Sequence, residues 1–173
     1  MIDIRPFTPA DTDAALAANE ASLPAVNSLT PDELRALAAQ SRHTLVATGP
    51  DGLVGLMVCL DETADYDSRN FAWLKQNLGR FSYVDRIALA PAARGSGTGE
   101  RLYRALLQRL AADPERAGLP LACEVNTRPA NPGSLRFHQR LGFAEIGASD
   151  HGDKAVVYLA RAVTLAEQEG ASA

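Results

Sequence analysis

The chain is short of the residues that mark several specialised classes. It has two cysteines and three histidines in 173 residues. Cys59 and Cys123 each lie inside an apolar run, with no Cys-x-x-Cys spacing and no histidine beside them. A disulfide framework and a structural zinc site both drop out, no metal is expected, and the two thiols read as buried and free. Positive charge is also in deficit: Lys and Arg total 17 against 21 Asp and Glu, a formal net charge of −4. Without a Lys/Arg stripe or a nucleic-acid motif to offset it, that balance argues against nucleic acid as a partner. No apolar run approaches the length of a membrane span, and the N-terminus lacks a charged and apolar leader, so the reading points to the cytoplasm and away from membranes. Internal repeats and low-complexity blocks are missing as well. What remains is an ordinary globular composition, 46% hydrophobic and 22% charged, and long enough to bury one core.

The most informative stretch runs from Tyr83 to Leu110. Tyr83-Val84-Asp85-Arg86-Ile87-Ala88-Leu89 reads as a strand that Pro91 closes, since proline cannot donate to a sheet ladder. Arg94-Gly95-Ser96-Gly97-Thr98-Gly99 follows, and then a helix whose Leu102, Tyr103, Leu106, Leu107 and Leu110 keep helical spacing. Strand, glycine-rich turn and helix together suit a phosphate. Glycines let the backbone approach an anion, and a helix start offers unpaired N–H groups and the positive end of its dipole. The spacing excludes the commonest versions. A Walker loop needs Gly-Lys before Ser or Thr, which is absent, and a Rossmann turn counted from Gly95 meets Glu100 where its third glycine belongs. An ordinary glycine-rich connection is the plain alternative.

Along the rest of the chain, Ile2 to Arg5 alternates as a short strand. Thr8-Pro9 opens a helix to about Ala21, Ser22 to Leu29 is a loop, and Thr30-Pro31-Asp32-Glu33 is a capping box that starts a helix to about Ala39. Thr44–Thr48 and Leu53–Leu60 form a hairpin about Gly49-Pro50-Asp51-Gly52. The segment Asp61–Arg80 mixes polar and aromatic residues and reads equally as a lid or as a helical turn packing Phe71 and Trp73. Leu119–Asn126 is a buried strand, Asn131-Pro132 caps a helix to about Arg140, and Gly142 supplies a left-handed end. A closing hairpin joins Phe143–Ala148 to Ala155–Ala160. The expected fold is α/β (α+β) in the order β-α-α-β-β-β-α-β-α-β-β, a mixed and mostly antiparallel sheet within one domain, residues 1–163. A frayed tail with a short helix is expected over residues 164–173.

Two motifs carry a resemblance. Arg94-x-x-Gly97-x-Gly99 after a strand ending at Pro91 resembles the acyl-CoA pyrophosphate loop of the GNAT N-acetyltransferase superfamily, and the order of elements is similar from Ile2 to Arg161. Asn126, Asn131, Phe137 and Leu141-Gly142-Phe143 resemble the family's second acyl-CoA segment. Tyr66-x-Ser68-x-Asn70, Tyr83-Val84-Asp85-Arg86, Cys123-Glu124-Val125-Asn126 and Asn131-Pro132-x-Ser134-x-x-Phe137-His138 are together similar to one bacterial group of predicted members. The resemblance implies acetyl-CoA as co-substrate, no metal, and transfer of acetyl to an amine of a small molecule or peptide. A non-catalytic acyl-CoA-binding module is the alternative. The N–H groups of Ile87, Ala88 and Leu89 would polarise the thioester carbonyl. Gly95, Ser96, Gly97, Thr98, Gly99 and Glu100 would hold the pyrophosphate with Arg94 in support, and Asn126, Asn131, Ser134, Phe137 and His138 would line the rest of the co-substrate site. His138 stands where many members carry a tyrosine acid. Strand alternation sets Tyr83, Asp85, Ile87 and Leu89 on one face. Asp85 and Glu124 are rival bases, each also fit for a salt bridge to an arginine such as Arg86. Asn19, Glu20, Tyr66, Asn70, Trp73 and Tyr83 are the acceptor-side candidates. A homodimer is left open.

Overall fold

A computed structural model describes residues 1–164; apart from Thr164, the expected tail lies outside them. The strands are β1 (Asp3–Pro6), β2 (His43–Gly49), β3 (Gly52–Asp61), β4 (Ser82–Leu89), β5 (Pro120–Arg128), β6 (Ala144–Asp150) and β7 (Ala155–Ala162). The helices are α1 (Thr12–Glu20), α2 (Pro31–Gln40), α3 (Arg69–Leu78), α4 (Thr98–Ala112) and α5 (Pro132–Arg140). The strands form one sheet in the order β1-β2-β3-β4-β5-β7-β6, in which only β4 and β5 run parallel.

Local chemistry sets the helix starts. The Glu33 N–H donates to Thr30 Oγ1 at 3.2 Å, and the Thr30 N–H donates back to Glu33 Oε2 at 2.7 Å, closing the capping box of α2. Asn131 Oδ1 accepts from the Ser134 N–H at 3.2 Å and caps α5. The segment between β3 and β4 resolves as a helix, one element more than the expected order. Ser68 Oγ caps it by accepting from the Phe71 N–H at 3.3 Å, and Phe71 and Leu74 on one face are buried. Helices α1 to α3 cover one sheet face, where Leu34, Phe71, Leu74, Phe81, Tyr83 and Tyr158 pack together. Helices α4 and α5 cover the other, where Leu102, Tyr103, Leu106 and Leu110 meet Met57, Val84, Leu121 and Phe143. Cys59 and Cys123 are buried and free. Among the described residues no helix is long and apolar enough to cross a membrane.

The decisive irregularity lies in β4. Cys59 of β3 pairs with Val84 and Val58 pairs with Arg86, so Asp85 has no partner opposite it and forms a bulge. The bulge corrects the expected alternation. Tyr83 belongs with the core under α1 to α3, whereas Ile87 and Leu89 pack with the core under α4 and α5. The same kink lets neighbouring side chains meet: Arg86 Nε donates to Asp85 Oδ2 at 2.8 Å, and the two side chains are 2% and 5% exposed. Arg86 also donates to Asn19 Oδ1 at 3.0 Å, the Asn27 carbonyl at 3.1 Å and Asn27 Oδ1 at 2.8 Å. One buried guanidinium thus binds the bulge to the loop between α1 and α2.

Removing one member of a buried, hydrogen-bonded ion pair costs about 3–5 kcal/mol because the other charge is left dry and unpaired. Arg86→Met should therefore lower unfolding stability by that order in urea titrations, and adding Asp85→Asn should recover much of it. A loss below about 1 kcal/mol would place the pair among weak surface contacts.

Candidate active site

Strands β4 and β5 share only two ladder pairs, Ser82 with Leu121 and Tyr83 with Ala122, and then part. The gap continues into a cavity of about 80 Å³ lined by Val84–Ile87 of β4, Cys123–Asn126 of β5, Ala25 and Val26 of the loop after α1, and Tyr103, Asn131, Ser134 and His138. The Ala90 N–H donates to Val54 O of β3 at 2.9 Å. Alternation along β4 then turns the Ala88 N–H toward β3 and those of Ile87 and Leu89 toward the gap. Leu89 is already occupied, its N–H donating to Ser22 Oγ at 3.2 Å. Of the three backbone donors expected at the thioester, Ile87 is the one left facing the cavity.

At the head of the gap the glycine turn has the form an anion needs. Gly95 and Gly97 have φ of 71° and 83°, which glycine adopts without strain, and a Cβ at either would meet nothing within 4 Å. The first α-helical bond of α4 runs from the Arg101 N–H to Gly97 O, so the N–H groups of Thr98, Gly99 and Glu100 precede it and remain available to a ligand. Gly99 has a packing reason as well, since a Cβ there would sit 3.2 Å from the Phe137 ring. Ser96 is bound within the turn, to Ala93 O at 2.7 Å and Thr98 Oγ1 at 2.8 Å. The Arg94 guanidinium is spent on backbone, donating to Leu89 O at 3.2 Å and to Ala21 O. It pins the loop after α1 to the end of β4.

The two candidate carboxylates are separated by their partners. Asp85 is held by Arg86 in the bulge. Glu124 accepts from the Tyr83 hydroxyl at 2.8 and 3.0 Å and keeps partial exposure toward the cavity. Burial first, and the Asp85 charge second, raise the Glu124 carboxyl to about 8, against the opposing pull of hydrogen bonds from Tyr83 and Asn70. Burial and the Glu124 carboxylate in turn hold the Tyr83 hydroxyl well above its ordinary range.

His138 is buried, 3% exposed. Its Nδ1 lies 2.8 Å from the Ser134 carbonyl, which can only accept, so Nδ1 carries the ring proton. Nε2 is then an acceptor, and the Tyr103 hydroxyl donates to it at 2.8 Å. Burial lowers the imidazole's affinity for a proton, with the Ser134 carbonyl opposing. Near neutrality His138 therefore has no N–H to offer the gap, which is where the acid role expected of it would need one.

The family model described as the acetyltransferase (GNAT) family matches residues 15–143. The chain belongs to the GNAT acetyltransferase family. Ard1 from Thermoplasma volcanium has a TM-score of 0.72 at 19% identity, covering 93% of this chain and 97% of its own. The ribosomal-protein-S18-alanine N-acetyltransferase from Escherichia coli gives 0.71 at 15%, covering 95% of each chain. Arabidopsis thaliana NAA60, solved in complex with acetyl-CoA, gives 0.73 at 13%, covering 94% of this chain and 99% of its own. The comparison with curated proteins gave no match.

The acceptor-side residues of this GNAT chain fall into two groups. Tyr83 and Asn70 hydrogen-bond Glu124, Tyr66 hydrogen-bonds Asp85 and Arg86, and Trp73 lies on the same sheet face. Tyr158 donates to Asn70 Oδ1 at 3.0 Å and stacks on Trp73 with centroids 3.9 Å apart, and Tyr66 lies edge-on to Phe71. Asn19, by contrast, is fully buried and holds Arg86 and the Asn27 carbonyl, while exposed Glu20 accepts from the Ser28 hydroxyl at 2.7 Å. Both brace the loop rather than line the cavity. Sequence pattern alone gives Tyr103, Ser22 and Asn27 no role at the site. Tyr103 sits in an apolar helical stripe, and its hydroxyl, which needs a partner once buried, was the available signal. Among the described residues no group of three or more His, Cys, Asp or Glu is placed to hold a metal.

Glu124 makes folding pH-dependent with a definite sign. Its carboxyl holds a proton to about 8 in the folded chain, against an ordinary value of 4.5. Between those values the folded state binds more protons, so this group's contribution to stability is present below 4.5 and is lost as pH rises through 8. The urea midpoint of the native chain should fall over that window more than that of Glu124→Gln. Parallel pH profiles would mean that Glu124 titrates normally.

Proposed function

We propose that this GNAT chain transfers the acetyl group of acetyl-CoA to a primary amine of a small molecule or peptide, with Glu124 as general base. The observation that carries the proposal is a partly exposed carboxylate at the edge of the gap between β4 and β5, held by the Tyr83 hydroxyl at 2.8 and 3.0 Å and raised to about 8 by burial and the Asp85 charge. An amine attacks only after losing a proton, and a base whose pKa lies near the working pH combines the right protonation state with useful basicity. The Tyr83 hydroxyl holds both Glu124 oxygens within 3.0 Å, fixing the direction in which the carboxylate accepts.

Acetyl-CoA supplies the activated acetyl thioester, and the residues present fit it. The open left-handed glycines and the first N–H groups of α4 suit a pyrophosphate, and a relative of the same fold has been captured with acetyl-CoA. The Ile87 N–H faces the gap, where a fixed donor to a developing oxyanion is worth roughly 3 kcal/mol of barrier. Tyr66, Asn70 and Trp73 share the Glu124 side of the sheet and form the acceptor pocket of this proposal. Asp85 is given no proton-transfer role, because Arg86 holds its carboxylate in the bulge. His138 is a positioning residue that orients Tyr103. A leaving thiolate needs no dedicated acid near pH 8, since a thiol's ordinary pKa is about 8.5. The second reading, a module that binds acyl-CoA without turnover, draws on the same engagement of both His138 nitrogens.

Thiol release from acetyl-CoA across a panel of amines, amino acids and peptides separates the two readings. Catalysis predicts kcat/KM rising with pH to an inflection near 8. Glu124→Gln should lower kcat by about 10²–10⁴-fold and remove that inflection, whereas His138→Ala should reduce stability and keep it. Acetyl-CoA binding without turnover on any acceptor supports the module, and an unchanged rate in Glu124→Gln removes the proposed base.

A further inference from the structure

The ladder between β5 and β7 sets Tyr158 directly opposite Glu124, and the ladder between β7 and β6 sets Gly147 opposite Tyr158. Cross-strand partners present their side chains to the same face of a sheet, so the three residues form a row leading away from the gap. Glycine at the far end of that row has a packing reason. A Cβ at Gly147 would stand 2.5 Å from Cζ2 and 2.6 Å from Cη2 of Trp73. Without it, the indole lies flat on the Tyr158 ring, with centroids 3.9 Å apart and planes within 9°. Asn70 and Trp73 are three residues apart on α3 and so share one helix face. The helix that clamps the phenol ring therefore also brings an amide to its hydroxyl.

Proton accounting along this row gives it a direction. Asn70 Oδ1 can only accept, so the buried Tyr158 hydroxyl, 3.0 Å away, spends its one proton there. The Ser149 hydroxyl, 3.1 Å from the same oxygen, then donates to Tyr158. With Oδ1 occupied, the amide turns its N–H groups to Glu124, and that hydrogen bond opposes the effect of burial on the carboxyl. The reverse orientation would set a carbonyl oxygen against a carboxylate.

We propose that Tyr158 is a positioning residue for Glu124, fixing the Asn70 amide so that it donates to the carboxylate; the catalytic purpose of this chain rests on Glu124 being the base. Trp73, seated over Gly147, holds Tyr158 in place for that task. The titratable groups acting on Glu124 are Asp85 and Tyr83 of β4, Cys123 beside it on β5, Tyr158 of β7 and Tyr103 of α4. The tyrosines and the cysteine are held protonated by burial, and Asp85 is paired with Arg86. Against that background the orientation of one amide decides how readily Glu124 gives up its proton before it can take one from an amine.

The test follows the Glu124 carboxyl by carbon-13 NMR, with the pH profile of kcat/KM beside it, in the full chain and in Tyr158→Phe. That variant keeps the ring and its stack on Trp73 and removes only the hydroxyl. A freed amide can turn its carbonyl to a protonated carboxyl, so the inflection should rise from near 8 to about 9. Below pH 8 kcat/KM should fall about 3–10-fold, its inflection moving in step. Asn70→Ala should give the same rise, and the double variant should add nothing to it, because Tyr158 acts through Asn70. An unmoved carboxyl inflection in Tyr158→Phe overturns the positioning role and leaves the base in place, as does a further rise in the double variant. A carboxyl inflection that moves while the kcat/KM profile stays fixed overturns Glu124 as base and the catalytic role of Tyr158 with it. Should a variant fail to fold, the Asn70 side-chain amide resonances of the unaltered chain decide. Movement with the same inflection as Glu124 supports the chain, and resonances independent of pH overturn it.

Discussion

Strands β4 and β5 separate after two residues of parallel pairing, and the proposed chemistry depends on that separation. Parting a sheet from within leaves backbone donors without a ladder, which is costly unless something else occupies them. Here Ser22 accepts from the Leu89 N–H, and the extra residue at Asp85 turns the strand while its carboxylate holds Arg86. Arg86 and Arg94 in turn bind the loop after α1 along the exposed edge. The gap is therefore braced from two directions, by the bulge and by the loop. The Ile87 N–H is left facing an opening that the fold has already stabilised.

The same separation explains the raised carboxyl. Glu124 follows the last residue pair of the β4–β5 ladder closely, where the two strands are near enough for Tyr83 to reach it across the sheet. It lies far enough into the gap to retain partial exposure. A carboxylate in water would ionise near its ordinary value, and one sealed in the core would be useless to a substrate. The position between those limits, with the Asp85 charge nearby, yields a group that changes protonation near the pH at which amines and thiols also do.

Much of this was legible in the residues, and what was not has physical reasons. Caps were readable because they are local: Thr30 with Glu33 and Asn131 with Ser134 lie within one turn of each other. The glycine turn was readable because a left-handed backbone next to an anion admits few residue types. The bulge was not, since one unpaired residue leaves the apolar pattern of β4 intact and only the register against β3 exposes it. Asn19 looked like a pocket residue because a polar side chain in an Ala-rich helix has no marked partner until Arg86 arrives from a distant strand. Helix α3 stayed ambiguous because Phe71 and Leu74 are its only buried residues. The Tyr103–His138 bond joins two helices distant in sequence, and it turns an expected proton donor into an acceptor.

The central claim is the protonation state of Glu124, and the most direct measurement is a carbon-13 NMR titration of its side-chain carboxyl, assigned by comparison with Glu124→Gln. The structure predicts an inflection near 8. An inflection close to the ordinary 4.5 would contradict the account, because the carboxylate would then be too weak a base to take a proton from an amine.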